Sequence, residues 1–284
     1  MTSVIRIGYT AFVFCILLFK LYFFCKMIYM KTLRIRNMVL SEGMPKICVP
    51  LTGSTEQSVL DEAEEIRLHP ADLVEWRMDF LEDINDYTKV RNSLQNLRRI
   101  LGSMPILATF RTADEGGNRQ INGHAYKELL NGISKEKLAD LIDVEILRNA
   151  ETVKDIIDTA HQNGVYVIGS YHNFQMTPSA AETRLLFQQM HDMKCDILKL
   201  AVMPNDNADV LRLLQMTDEA SKLYAEPLIT MSMSQTGSIS RITGEQFGSC
   251  ITFGSLHHSS APGQIDVDTL HQLLKTIHTM KKTA

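Results

Sequence analysis

The sequence predicts a single (β/α)8 barrel of the TIM type, with an N-terminal β-hairpin closing the barrel floor. Three observations predict it. From residue 46 onward, short runs rich in β-branched residues alternate with longer amphipathic stretches. Eight such units fill about 235 residues, the count and size of one barrel. The first strand-to-helix turn, PLTGSTEQS, holds one glycine, whereas an open doubly wound sheet that binds a dinucleotide carries a glycine-rich turn there.

The elements follow in order. KTLRIRNMVLSEGMP (31–45) alternates in character and carries a Glu42-Gly43 turn signal, so it reads as the floor hairpin. The strands are KICVPL (46–51), DLVEWRM (72–78), PILATFR (105–111), LIDVEI (141–146), YVIGSYH (166–172), CDILKLAVM (195–203), PLITMSM (227–233) and SCITFGS (249–255). Segments such as EQSVLDEAEEIRLH, AETVKDIIDTAHQNG and DNADVLRLLQMTDEASKLY supply helices between them. Asn163-Gly164 stops a helix before the fifth strand, and Pro178-Ser179 opens the next one.

Composition narrows the function. The 284 residues carry a net charge of −4 and 45% hydrophobic side chains, with no run of five like charges. A nucleic-acid partner, which demands a basic stripe or patch, is therefore not expected. The five cysteines, Cys15, Cys25, Cys48, Cys195 and Cys250, form no CxxC and are odd in number. They read as free thiols in a reducing compartment, hence a cytoplasmic location. The apolar stretch GYTAFVFCILLFKLYFFCKMIYM (8–30) is broken by Lys20 and Lys26. Its uninterrupted part, Ala11 to Phe19, is shorter than the roughly 20 residues a spanning helix needs. No A-x-A-like cleavage site follows. A membrane partner is not the expectation, and tethering through this segment is the minor reading.

Barrel chemistry sits at the C-terminal ends of the strands. The second strand ends in Glu75 and Arg77, two apart and so on one side, with Trp76 opposite. They read as an internal ion pair, as substrate contacts, or as both. The third brings Arg111 and, in its loop, Glu115; the fifth brings His172; the sixth brings Lys199. The seventh carries Met231 and Met233 with Arg241 beyond, and Ser260 and Gln264 follow the eighth. Each has a plain structural reading: a core histidine, core-filling methionines, a solvated arginine. His257 and His258 lack a third ligand at metal spacing and read as loop residues, so no metal is expected.

Lys199 resists the plain reading. It stands among Ile197, Leu198, Leu200, Ala201, Val202 and Met203, where an ammonium must be paired or give up its proton. Neighbouring strands lie about 4.8 Å apart, which would set His172 and Lys199 side by side. A desolvated lysine among cationic groups has a lowered pKa and becomes a nucleophile toward carbonyls. Arg77, Arg111 and Arg241 would suit an anionic substrate, since guanidinium binds carboxylate bidentately. The residues alone point to imine-forming proton chemistry on a small ketone that bears a carboxylate.

The motifs EWRMD, TFRTADEGG, SYHNF…TP, KLAVMP, MSMSQTGSISR and SSAPGQ, in this order, resemble the type I 3-dehydroquinate dehydratases. The resemblance spans residues 30–284. It implies a hydro-lyase of the shikimate pathway that converts 3-dehydroquinate to 3-dehydroshikimate and water without metal or organic cofactor, and that works as a homodimer. It implies Lys199 as the Schiff-base residue and His172 as general acid and base, positioned by Glu115. Arg241, aided by Gln264 and Ser260, would clamp the substrate carboxylate. Glu75, Arg77 and Arg111 would hold the ring hydroxyls and set the electrostatics, Met231 and Met233 would line the pocket, and the SSAPGQ loop would form a mobile lid. MKTLRIRNMVLSEGMPKI resembles the usual amino terminus of that family. Met30 is therefore the expected translation start, with residues 1–29 an extension outside the catalytic domain 30–284. Two other readings stand beside it: a Schiff-base aldolase of the class I type on a small keto acid, separable by product analysis, and a barrel kept as a scaffold. None of the three catalytic residues that a scaffold could have lost is missing.

Overall fold

The computed structural model describes residues 31–40, 43–256 and 260–283. The expected extension 1–29, with Cys15 and Cys25, and the two loop histidines His257 and His258 lie outside them.

Two short strands, β1 (Leu33–Ile35) and β2 (Met38–Leu40), pair antiparallel with Leu33 opposite Leu40 and Ile35 opposite Met38. The turn falls at Arg36-Asn37 rather than at the Glu42-Gly43 signal. Arg36 adopts a positive φ of 54°, the left-handed backbone that a two-residue hairpin turn requires. Register decides this: only a turn there leaves Leu33, Ile35, Met38 and Leu40 on one buried face.

Eight parallel strands follow: β3 (Lys46–Leu51), β4 (Leu73–Arg77), β5 (Ile106–Thr109), β6 (Leu141–Glu145), β7 (Tyr166–Asn173), β8 (Ile197–Val202), β9 (Leu228–Ser232) and β10 (Ile251–Ser255). Each pairs with the next, and β10 pairs with β3. The circle closes between β9 and β10 through one bridge, Leu228 to Ser249, where Cys250 N–H donates to the Leu228 carbonyl at 2.8 Å. A two-residue strand, β11 (Ile265–Asp266), adds to β10. Seven of the eight barrel strands fall within the segments that the sequence predicts, and β7 runs one residue past its segment, to Asn173.

Helices α1 (Glu56–Ile66), α2 (Tyr87–Leu101), α3 (Gly123–Lys135), α4 (Ala150–Gln162), α5 (Ala180–Asp192), α6 (Asn207–Leu223) and, after two short helices, α9 (Val267–Thr283) cover the outside. Their boundaries are local chemistry. In α4, Asn149 caps the first turn by accepting from Glu151 N and Thr152 N. Val153, Ile156, Ile157 and Ala160 then recur on the buried face. Gly164, at φ 73°, stops it as expected. Ser179 and Glu182 form the capping box that opens α5. The seventh unit departs from the rhythm: α7 (Ile239–Ile242) and α8 (Gly244–Phe247) replace one long helix. The Gly-, Ser- and Thr-rich chain there favours turns over a continuous helix.

Inside the barrel the residues alternate by two, and their character changes with height. The lowest tier takes one apolar side chain from each strand: Cys48, Leu73, Leu107, Leu141, Ile168, Ile197, Ile229 and Ile251. The inner face of the hairpin packs on this tier in one cluster, so the floor is closed as predicted. Arg36 pairs with Asp140, and Tyr166 Oη donates to the Arg34 carbonyl at 3.3 Å, holding the hairpin in place. Cys48, Cys195 and Cys250 are free and buried. Among the described residues no helix is long and apolar enough to cross a membrane.

Candidate active site

Two residues above the apolar tier, the same inward positions become polar. β4 contributes Glu75, β6 Asp143, β7 Ser170 and β8 Lys199, all buried. One step higher come Arg77, Glu145 and His172, with Arg111 just past β5. Part of this set opens onto a cavity at the C-terminal mouth. Glu75, Arg77, Arg111, Glu115, His172 and Lys199 line it, together with Met231, Met233, Ser260 and Gln264. Ten of the eleven residues singled out from the sequence therefore share one cavity. Arg241, the eleventh, sits directly behind it.

Lys199 is 3% exposed. Its Nζ donates to Asp143 Oδ2 at 3.1 Å and lies 3.4 Å from Glu75 Oε1, with the Phe253 ring centroid 4.7 Å away. The expectation of a lysine surrounded by cations is thus corrected. Its nearest partners are carboxylates, because the neighbouring inward positions on β4 and β6 are acidic. The expected side-by-side placement of His172 is also adjusted. Register sets Ser170 opposite Lys199 and His172 opposite Ala201, so the imidazole stands one inward step above the amine.

His172 Nδ1 lies 3.0 Å from Glu115 Oε2, and the His172 backbone N–H donates to the same oxygen at 3.0 Å. This leaves Nε2 without a partner among the described residues. Glu115 reaches this position from a single 3-10 turn, Ala113–Glu115. The two glycines after it make the approach possible. A Cβ on Gly116, which has φ 80°, would fall 2.1 Å from the Phe174 ring, and one on Gly117 would fall 1.9 Å from the Arg111 carbonyl oxygen. Burial, with the positive charges of Arg111, Lys199 and Arg77, holds the His172 imidazole well below its ordinary value. Burial pushes the Glu115 carboxyl up to about 8, against the lowering pull of Arg111 and helped by Glu145 and Asp143. The surroundings favour the neutral imidazole, the form that can accept a proton.

The arginines divide the work unevenly. Arg77 does not pair with Glu75. Its Nε and Nη2 each lie 2.8 Å from an oxygen of Asp79, because the chain turns into a 3-10 helix at Met78 and brings Asp79 back. Glu75 instead accepts from Thr109 Oγ1 at 3.0 Å. Arg111 reaches Asp143 at 2.7 Å, Glu145 at 3.1 Å and Glu115 at 3.3 Å. Burial disfavours its charge, but Asp143, Glu145 and Glu115 outweigh that and raise its pKa further. Both guanidinium charges are already matched by carboxylates, although both side chains line the cavity, and the third arginine differs from them.

Arg241 lies on α7 and is fully buried. It has no carboxylate partner among the described residues. Nη2 donates to the Pro262 carbonyl at 3.0 Å, Nη1 lies 3.7 Å from Met231 Sδ, and Nε has no partner. Burial alone pushes this guanidinium down to about 10, leaving it cationic at neutral pH. A buried, unmatched charge is costly, and an anion beside it would recover that cost. Ser260 and Gln264 bond to each other nearby, the Gln264 amide donating to Ser260 Oγ at 3.0 Å and the Ser260 N–H to Gln264 Oε1 at 2.7 Å.

Asp143, Glu145, Asp79, Ser170 and Phe253 were not singled out from the sequence. Asp143 and Glu145 show the same signal as Glu75 and Arg77, charged residues two apart within an apolar strand, and could have been found by it. Asp79 closes the EWRMD motif but was given no role there, and nothing in the sequence marks Phe253.

Comparison with known proteins agrees with this fold. The family described as type I 3-dehydroquinase matches residues 47–281. A 3-dehydroquinate dehydratase of Clostridium botulinum is 45% identical over 249 residues, covering 87% of this chain and 98% of its own. One from Listeria monocytogenes is 43% identical over 244 residues, covering 86% and 97%. Among solved structures, the type I 3-dehydroquinate dehydratase of Clostridium difficile, with covalently modified comenic acid, superposes with a TM-score of 0.86 at 40% identity, covering 88% of this chain and 99% of that one. The 3-dehydroquinate dehydratase of Geobacillus kaustophilus gives 0.86 at 37% identity, covering 89% and 98%.

Proposed function

Because the chain belongs to the type I 3-dehydroquinase family, we propose that Lys199, His172 and Glu115 carry its reaction through an imine. The activity itself is that of a 3-dehydroquinate dehydratase, a hydro-lyase of the shikimate pathway. The observation that carries the residue assignment is a buried lysine under a neutral imidazole in one cavity, with an unmatched guanidinium behind the wall.

The steps follow from these positions. The Lys199 amine adds to the ketone carbon of 3-dehydroquinate. One proton taken up from solvent lets the added hydroxyl leave as water and gives a cationic C=N bond, and that proton is returned on hydrolysis. That cation draws electrons from the adjacent carbon, so His172 Nε2 can take a proton there and an enamine forms. The enamine pushes out the hydroxyl one carbon further on, which leaves as water with the proton returned by His172. Hydrolysis of the conjugated imine releases the product and restores the amine. Glu115 acts through His172, fixing the Nδ1 edge so that Nε2 is offered to the substrate. Arg241 would receive the substrate carboxylate, with Gln264 and Ser260 at its side. The covalently modified comenic acid of the Clostridium difficile enzyme supports covalent chemistry in a relative of this chain. Nothing favours the aldolase reading. The assembly we propose is a homodimer, as the family resemblance implies.

Borohydride reduction in the presence of 3-dehydroquinate tests the assignment. The adduct should map to the peptide containing DILKLAVMP and vanish in Lys199→Ala. His172→Ala should lose roughly 10²- to 10⁴-fold in turnover, the usual worth of a general acid–base group, yet still accumulate adduct. Labelling of a different lysine would refute the assignment.

A further inference from the structure

We propose that Asp143 is the fixed counter-ion of the Lys199 nitrogen, holding its positive charge through both the ammonium and the iminium stages. The proposal rests on the reading of Lys199 as the imine-forming residue and assigns the group behind it. Two carboxylates touch Nζ, and they are not equivalent. Glu75 lies 3.4 Å away, lines the cavity and shares its Oε1 with Thr109. Asp143 lies at 3.1 Å, has a fully buried side chain and is not among the cavity's lining residues.

Asp143 is also immobilised. Its Oδ1 accepts from Ser170 Oγ at 2.5 Å and meets Arg111 at 2.7 Å, while Oδ2 takes the lysine. Register sets Ser170 opposite Lys199, so the hydroxyl that orients the carboxylate and the amine it serves are neighbours. Lys199 lines the cavity and Asp143 does not, so a substrate filling the cavity can reach the lysine without displacing that carboxylate. The contact therefore survives conversion of three N–H donors into one. Burial works to raise the Asp143 carboxyl, but Arg111, Lys199 and Ser170 together hold it below the ordinary range. It remains an anion and does not serve as the proton acceptor, which leaves that task to His172.

The charged and titratable groups around Lys199 are Glu75 on β4, Arg111 after β5, Asp143 on β6, His172 on β7 and the Cys48 thiol on β3. Among the described residues, only the carboxylates of Glu75 and Asp143 are in contact with the nitrogen. Asp143→Asn keeps the shape and removes one of those charges. The ammonium then becomes less favourable relative to the amine, so the acid limb of kcat/KM moves to lower pH, by about one unit for loss of one adjacent charge. The iminium, also a cation, becomes less favourable too. Turnover should fall at least tenfold, and the fraction reduced by borohydride at saturating 3-dehydroquinate should drop.

The experiment measures kcat/KM against pH and the reduced adduct by intact mass for the wild-type chain, Asp143→Asn and Ser170→Ala. The serine variant loosens the carboxylate without removing it and should move both readouts the same way by less. A purely structural Asp143 would lower the rate with an unmoved acid limb, and that result overturns the proposal. Should Asp143→Asn fail to fold, an unmoved limb in Ser170→Ala overturns it instead. Failure of the wild type to form any adduct on Lys199 would refute the imine reading itself. Adduct in the wild type with unchanged variants refutes the counter-ion alone.

Discussion

Arg77, Arg111 and Arg241 are the same residue type at three strand ends, and their partners separate them. Arg77 is held bidentately by Asp79 and Arg111 by three carboxylates, whereas Arg241 has only a carbonyl and a thioether. An added anion gains most from the charge that nothing else has neutralised. Arg241→Lys should therefore raise KM for 3-dehydroquinate by roughly tenfold to a hundredfold, the loss of about 1.5 to 3 kcal/mol for a charge-assisted hydrogen bond. The ammonium keeps the charge but lacks the planar fork, so kcat should change much less than KM. Steady-state kinetics check this, and an unchanged KM would move the carboxylate site away from Arg241. The three arginines look alike in the sequence because pairing depends on residues far away in the chain, such as Asp143 and Glu145 for Arg111.

The hairpin is the element whose role is clearest in energetic terms. Leu33, Ile35, Met38 and Leu40 are apolar side chains laid over a tier that every barrel strand contributes to. Without them that tier would face water, at a cost of about 1.5 to 3 kcal/mol for each large side chain left exposed. Leu40 is fully buried. Leu40→Ala should destabilise by about 2 to 5 kcal/mol, which for a domain of this size lowers Tm by several degrees. Turnover at 25 °C should stay near wild type, because the floor lies a full tier below Lys199. Calorimetry paired with an activity assay tests the separation, and an unchanged Tm would mean that the floor does not depend on this side chain. The strand-and-helix alternation behind this element was legible from periodicity. The turn position was not, since Glu42-Gly43 is the stronger local signal and burial of the hairpin face overrides it.

At the scale of the whole molecule the two ends of the barrel do different jobs. The floor is apolar and closed, and the mouth is charged and open. This polarity follows from the sequence of a few strands, β4, β6 and β8, whose inward residues change from Leu73, Leu141 and Ile197 to Glu75, Asp143 and Lys199 two positions on. The outer surface carries large exposed side chains, Leu68, Leu147, Leu185, Leu211 and Leu223, part of which self-association would remove from water. Light scattering of the full chain should give twice the chain mass of 32.1 kDa at micromolar concentration. A species of single-chain mass under those conditions would count against the homodimer.

The barrel, its strand order and the covalent candidate were determined by the sequence alone, because each depends on local signals. Period-2 and period-3.6 patterns and caps such as Asn149 act over a few residues, and a lysine in an apolar strand stands out within its own segment. Tertiary structure alone decided the charge on each group and its partner. The carboxylates behind Lys199 come from β4 and β6, and the oxygen that orients His172 comes from the loop after β5. Among the described residues Arg241 is left with a carbonyl and a thioether, brought to it from Pro262 and Met231. Electrostatics acts through space at 3 to 4 Å, and those distances join residues separated in the chain by 56 and 124 positions. A pattern read along the chain does not contain them.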